Sequence, residues 1–120
     1  MKLKRVYEPA EPQDGARFLV ERLWPRGVSK ERAQLTDWLR DLGPSPELRQ
    51  WYAHDLARWD EFAQRYTAEL AQPARAPLLA RLRQAAAEGP LTLVFATRDA
   101  EHSSAWLLRK FLEDQPAPEA

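Results

Sequence analysis

The hydrophobic positions change their period several times along the chain, and each change marks an element. Lys2 to Tyr7, with its β-branched and aromatic members, predicts a short strand. Pro9, Pro12, Asp14 and Gly15 make Glu8 to Gly15 a loop. Arg17 to Trp24, centred on Phe18-Leu19-Val20, predicts a second strand. Trp24-Pro25-Arg26-Gly27 ends it, since proline cannot extend a ladder. Ser29 then has the character of an N-cap. Leu35, Trp38, Leu39 and Leu42 follow at the i, i+3, i+4, i+7 spacing of a buried helix face that Gly43-Pro44 stops.

Ser45-Pro46 restarts a short helix carrying Leu48, Trp51 and Tyr52. Asp55 caps a longer one striped by Trp59, Phe62, Tyr66 and Leu70, and Gln72-Pro73 breaks it. Pro77 to Glu88 predicts a helix with Leu78, Leu79, Leu82, Ala85 and Ala86 inward, closed by Gly89-Pro90. Leu91 to Ala96 is apolar on both faces, as a buried parallel strand is. Glu101 to Glu113 predicts the last helix. The alternation gives an α/β fold, a small open, mostly parallel sheet flanked by about five helices. Three strands are identified and their total number is left open. The link between the first two allows either a loose hairpin or a crossover. Residues 1–115 read as one domain and 116–120 as a frayed tail.

Composition narrows the function classes. A 120-residue chain with 44% hydrophobic content is globular in character. No cysteine is present, so disulfides, thiolate metal sites and cysteine nucleophiles are excluded. No apolar run approaches a membrane span and no secretory h-region follows Met1, so a cytoplasmic protein is expected. Eighteen basic and 18 acidic residues balance, against a polyanion-coating role. Residues 17–32 nevertheless carry Arg17, Arg22, Arg26, Lys30 and Arg32 against Glu21 and Glu31, a pattern that suits a discrete anionic ligand.

Ligands in open parallel sheets bind beyond the carboxyl ends of the strands. Two polar clusters fall there, Arg22 to Gly27 and Thr97 to Ser104. Converging on one rim, Arg22, Arg26 and Arg98 would hold an anion, helped by helix N-termini. Trp24 or Tyr52 would stack, and His54, Asp99 or His102 would move a proton. Each has a structural role open to it as well: Trp24 and Pro25 plugging the sheet, Arg26 answering a surface acid, Asp99 capping a helix, His102 exposed at a helix start. His54, Asp55, Asp99 and His102 are a set from which a metal site could in principle assemble. With two histidines in the chain no metal is assigned, and no cofactor is identified. No nucleophile elbow, Walker loop, dinucleotide fingerprint or zincin motif occurs.

The Arg22–Gly27 string, the His54-Asp55 pair, the Arg58-Trp59-x-Glu61-Phe62-x-x-Arg65-Tyr66 block and the Asp99-x-x-His102 turn together resemble the YeaO-like family, domain of unknown function 488, from Val6 to about Leu112. The resemblance implies an α/β domain with parallel strands and supplies no reaction. The chain departs from the family pattern at Ala53, where glycine is frequent, at Arg98 for lysine and at Ser103 for asparagine. A small anionic ligand is therefore the leading expectation, ahead of nucleic acid bound by residues 17–32 and of a protein-interaction module. Whether the chain is an enzyme is left open.

Overall fold

The computed structural model describes residues 1–114, so the tail expected at 116–120 lies outside the described residues. Four strands, β1 (Lys2–Arg5), β2 (Ala16–Leu19), β3 (Asp37–Trp38) and β4 (Leu91–Phe95), form one parallel sheet in the order β1-β4-β2-β3. Five α-helices accompany it: α1 (Lys30–Ala33), α2 (Pro46–Tyr52), α3 (Trp59–Leu70), α4 (Ala76–Glu88) and α5 (Ser104–Asp114). The open parallel α/β architecture agrees with the sequence reading. None of these helices is long and apolar enough to cross a membrane.

Register assigns the two faces. Leu3, Leu93 and Phe18 lie side by side on one face, and Leu91, Phe95 and Val20 share it. Against this face pack Leu48, Phe62, Tyr66, Leu82 and Leu108 from α2 to α5, the larger core. The other face presents Val6, Leu19 and Val94 to Val28 and Ala33, a smaller core under α1. The apolar-throughout character of β4 follows from its central place, since every residue of it is buried.

The link between β1 and β2 is neither a hairpin nor a join between neighbours, because β4 lies between them. The link returns along the smaller-core face and buries Asp14 completely. Lys2, Lys4 and Arg17 converge on that carboxylate at 2.8, 3.1 and 2.6 Å. The Thr92 hydroxyl donates to its backbone carbonyl at 2.8 Å. Burial alone would raise the Asp14 pKa. The hydrogen bonds from Lys2, the Glu11 amide, Lys4 and Arg17 outweigh it and hold the carboxyl well below the usual range. The two acids and three bases of this knot are spaced as Lys2, Lys4, Glu11, Asp14 and Arg17, with no periodicity to reveal them.

One predicted helix is corrected. The segment after Ser29 is helical only to Ala33, with the Ser29 hydroxyl capping the Arg32 amide as expected. Gln34 turns left-handed at φ 47°, and the Arg17 guanidinium takes the Ala33 carbonyl at 2.9 and 3.1 Å. Thr36 and Leu39 then donate to the carbonyls of Arg17 and Leu19, which makes the segment an edge strand. Leu35 and Trp38 join the smaller core while Leu39 and Leu42 join the larger. A helical stripe would have sent all four to one side. Boundaries also move: β1 stops at Arg5 rather than Tyr7, β2 at Leu19 rather than Trp24, β4 at Phe95 rather than Ala96, and the last helix begins at Ser104 rather than Glu101. Ala86, expected inward, is exposed.

Candidate functional site

The chain leaves β2 toward α1 on one face and leaves β4 toward α5 on the other. β2 and β4 are neighbours, so their carboxyl ends flank a topological switch point, where open sheets leave a crevice. A cleft of about 610 Å³ opens there. Val20 carries the ladder one step past β2 by donating to Val94, which puts Glu21 at the cleft floor opposite Ala96.

Two arginines fix the loops that frame the opening. The Arg5 guanidinium binds the carbonyls of Ala96 and Thr97 at 3.0–3.3 Å, so the exit of β4 is pinned to β1. Arg22 donates to the carbonyls of Pro44 and Gly43 at 2.8 and 3.0 Å and meets Asp41 at 3.4 Å. Gly43 permits that approach: a Cβ on it would lie 2.6 Å from the Arg22 backbone nitrogen. Trp24 forms part of one wall, its Nε1–H on the Val28 carbonyl at 2.7 Å and its ring edge-on to Trp38 at 5.4 Å.

The opposite wall comes from the end of α2. Tyr52 is buried and stacked on Phe62 at 4.3 Å. Ala53 and His54 both take left-handed backbone, φ 46° and 57°, which swings His54 out beside the Tyr52 ring at 6.3 Å. Asp55, expected to cap the long helix, instead caps the 3-10 turn Leu56–Arg58 through the Ala57 amide at 3.0 Å and pairs with Arg58 at 3.6 Å. The long helix α3 starts from Arg58. Burial pushes the Tyr52 phenol up, with Asp99 and Asp55 adding to the effect.

The third wall is the entry to α5. The Asp99 side chain does not take the capping role open to it and accepts from His102 Nδ1 at 2.7 Å. The His102 ring meets Trp59 edge-on at 5.0 Å. Ser103 does the capping, accepting from the Trp106 amide at 3.1 Å, and Ser103 and Ser104 at the start of α5 line the cleft.

Sequence comparison adds the lineage. Residues 1–120 match the family described as "Inactive DUF488-N3 subclade". This chain belongs to the domain of unknown function 488 family. Over 112 residues it is 43% identical to the uncharacterized protein Rv3073c of Mycobacterium tuberculosis, covering 93% of this chain and 92% of the relative. It is 39% identical over 109 residues to the uncharacterized protein YeaO of Escherichia coli K12, covering 91% and 93%. No solved structure matches it significantly.

In this member of the 488 family, four of the residues singled out by sequence line the cleft: Trp24, Tyr52, His54 and His102. Asp99 stands behind His102. Arg22 frames the opening, its guanidinium engaged by main-chain carbonyls. Arg26 and Arg98 are exposed and lie outside the lining. Of the basic stretch, Arg17 is buried on Asp14 and Arg32 reaches the Tyr7 carbonyl. Among the described residues no group of three or more His, Asp or Glu is placed to hold a metal.

Sequence reasoning passed over two charged groups of the cleft, Glu21 and Arg49. Arg49 was accessible to it, standing three residues before Tyr52 on one face of α2. Glu21 offered no such signal, because a glutamate inside a basic run reads as a solvated counter-charge. Its pKa is raised by burial, against weaker opposing effects of the Ala96 amide and the Arg49 charge.

Proposed function

We propose that this member of the 488 family binds a small phosphate- or carboxylate-bearing molecule in the cleft between the carboxyl ends of β2 and β4. The observation that carries the reading is the convergence of Arg49, His54, His102 and the start of α5 at Ser103 and Ser104 on one opening at the switch point. The volume of about 610 Å³ suits a ligand of metabolite size. Arg49 takes over the cationic role that the sequence gave to Arg26 and Arg98, while Arg22 and Arg5 hold the frame. The description of the matched subclade as inactive supports binding without turnover. His54, Asp99 and His102, expected as proton-moving groups, are then ligand contacts and their support.

The test is thermal unfolding with inorganic phosphate, ribose 5-phosphate and citrate, using the wild-type protein, Arg49→Ala and Arg26→Ala. A ligand at a hundred times its dissociation constant stabilises the protein by about 2.7 kcal/mol, a shift of several degrees. The expected result is a shift in the wild type and in Arg26→Ala and none in Arg49→Ala. No response to any of the three anions in the wild type, or an undiminished response in Arg49→Ala, overturns the proposal.

A further inference from the structure

A cleft that held only an anion would have no use for a carboxyl group on its floor, yet Glu21 is there. It stands between the exits of the two central strands, fixed by its own backbone, whose carbonyl accepts the Trp38 indole N–H at 2.6 Å. One carboxyl oxygen, Oε1, accepts a long hydrogen bond of 3.4 Å from the Ala96 amide. The other, Oε2, has no hydrogen-bond or ion-pair partner among the described residues, while its residue lines the cleft. Arg49 shares the cleft without forming an ion pair with it. A carboxylate in this position repels a bare phosphate or carboxylate and rewards an N–H donor, because unanswered buried polar groups are costly.

The walls add a second requirement. Trp24 comes in from the exit of β2, and Tyr52 and His54 come in from the end of α2, so aromatic rings meet the cleft from both sides. Aromatic side chains lining a cleft favour planar partners. Arg49, from α2, and Ser104, from the start of α5, line the same cleft as Glu21, and Arg49 acts on Glu21 through its charge without an ion pair. The lining therefore combines a carboxyl acceptor, aromatic side chains and the Arg49 cation in one cleft.

We infer that the ligand of this cleft is a nitrogen heterocycle carrying a separate anionic group, of the nucleoside monophosphate class, with Glu21 accepting from the N–H edge of the ring. This rests on the anion-binding reading above and goes further by naming the chemical class and the residue that selects it. Glu21 is a specificity-determining contact, with no role in holding the phosphate.

The experiment compares dissociation constants by calorimetry for AMP, GMP, CMP, UMP, ribose 5-phosphate and O-phosphoethanolamine, on the wild type and Glu21→Gln. The expected result is that at least one of the four nucleotides binds ten times more tightly than ribose 5-phosphate. In Glu21→Gln that margin disappears while ribose 5-phosphate keeps its affinity, which also reports that the variant is folded. Equal binding of the nucleotides and ribose 5-phosphate to the wild type overturns the inference and leaves the anion site standing. Tighter binding of O-phosphoethanolamine than of every nucleotide overturns it as well, assigning Glu21 to an ammonium group. Absence of binding by all six compounds overturns this inference and the anion-binding reading together.

Discussion

Asp99 and His102 form a carboxylate–imidazole pair, Oδ2 to Nδ1 at 2.7 Å, set by a single turn of 3-10 helix between them. An ionised carboxylate can only accept, so the ring donates from Nδ1 and Nε2 is left as the acceptor nitrogen of the neutral ring. The edge-on contact with Trp59 holds the same orientation from behind.

That pairing predicts a tautomer. In the wild type at high pH, nitrogen NMR of the His102 ring should show predominantly the Nδ1–H form. Asp99→Ala should shift the population toward Nε2–H without changing the melting temperature by more than a degree or two, since the pair is partly exposed. An unchanged tautomer ratio would show that the carboxylate does not set it.

The buried Asp14 predicts a stability cost and its pH dependence. Asp14→Asn leaves Lys4 and Arg17, both buried, without their counter-charge, and should destabilise the protein at pH 7 by about 3 kcal/mol. The folded-state pKa lies below the unfolded value, so the stabilising contribution is present above the unfolded value near 3.8 and is lost as pH falls toward the folded one. Urea titrations of wild type and variant should therefore diverge at neutral pH and converge in strong acid.

Glu21 predicts the opposite sign. Burial raises its folded-state pKa above 4.5, so its protonated form is favoured by folding and its contribution is lost as pH rises through the folded value. Glu21→Gln removes this penalty and should be more stable than the wild type at pH 7. The gap should close below pH 4.5, and a variant less stable at neutral pH would contradict the assignment.

Ala53 predicts a gain from glycine. Its backbone at φ 46°, ψ 39° closes α2 in the left-handed region, where a Cβ is strained. Ala53→Gly should stabilise the protein by about 0.5 kcal/mol, the relief being partly offset by unfolded-chain entropy. Thermal unfolding at matched conditions measures the difference.

What could be read from the chain follows from where its information is local. β4 was legible because five consecutive buried residues leave only one kind of element, and α3 because Trp59, Phe62, Tyr66 and Leu70 keep one stripe. β3 was not, because Leu35, Trp38, Leu39 and Leu42 imitate a helix face while feeding two separate cores. Only the pairing of Thr36 with Arg17, 19 residues away, decides between the two. The site divides in the same way. His54, Tyr52, Trp24 and His102 stand out by residue type at the ends of elements, whereas Glu21 and the engagement of Arg22 depend on backbone atoms of Ala96, Gly43 and Pro44.

The central place of β4 has a consequence for how the molecule comes into being. Lys2 pairs with Thr92 and Arg17 pairs with the same residue from the other side, so the first strand has no partner until the chain has grown past residue 95. Contacts of such sequence separation are slow to close and leave β1 without its ladder during synthesis, while β2 already has β3 beside it. The cleft is born last of all: its floor and one wall exist only when β4 has slotted between two strands that have been waiting since the beginning of translation.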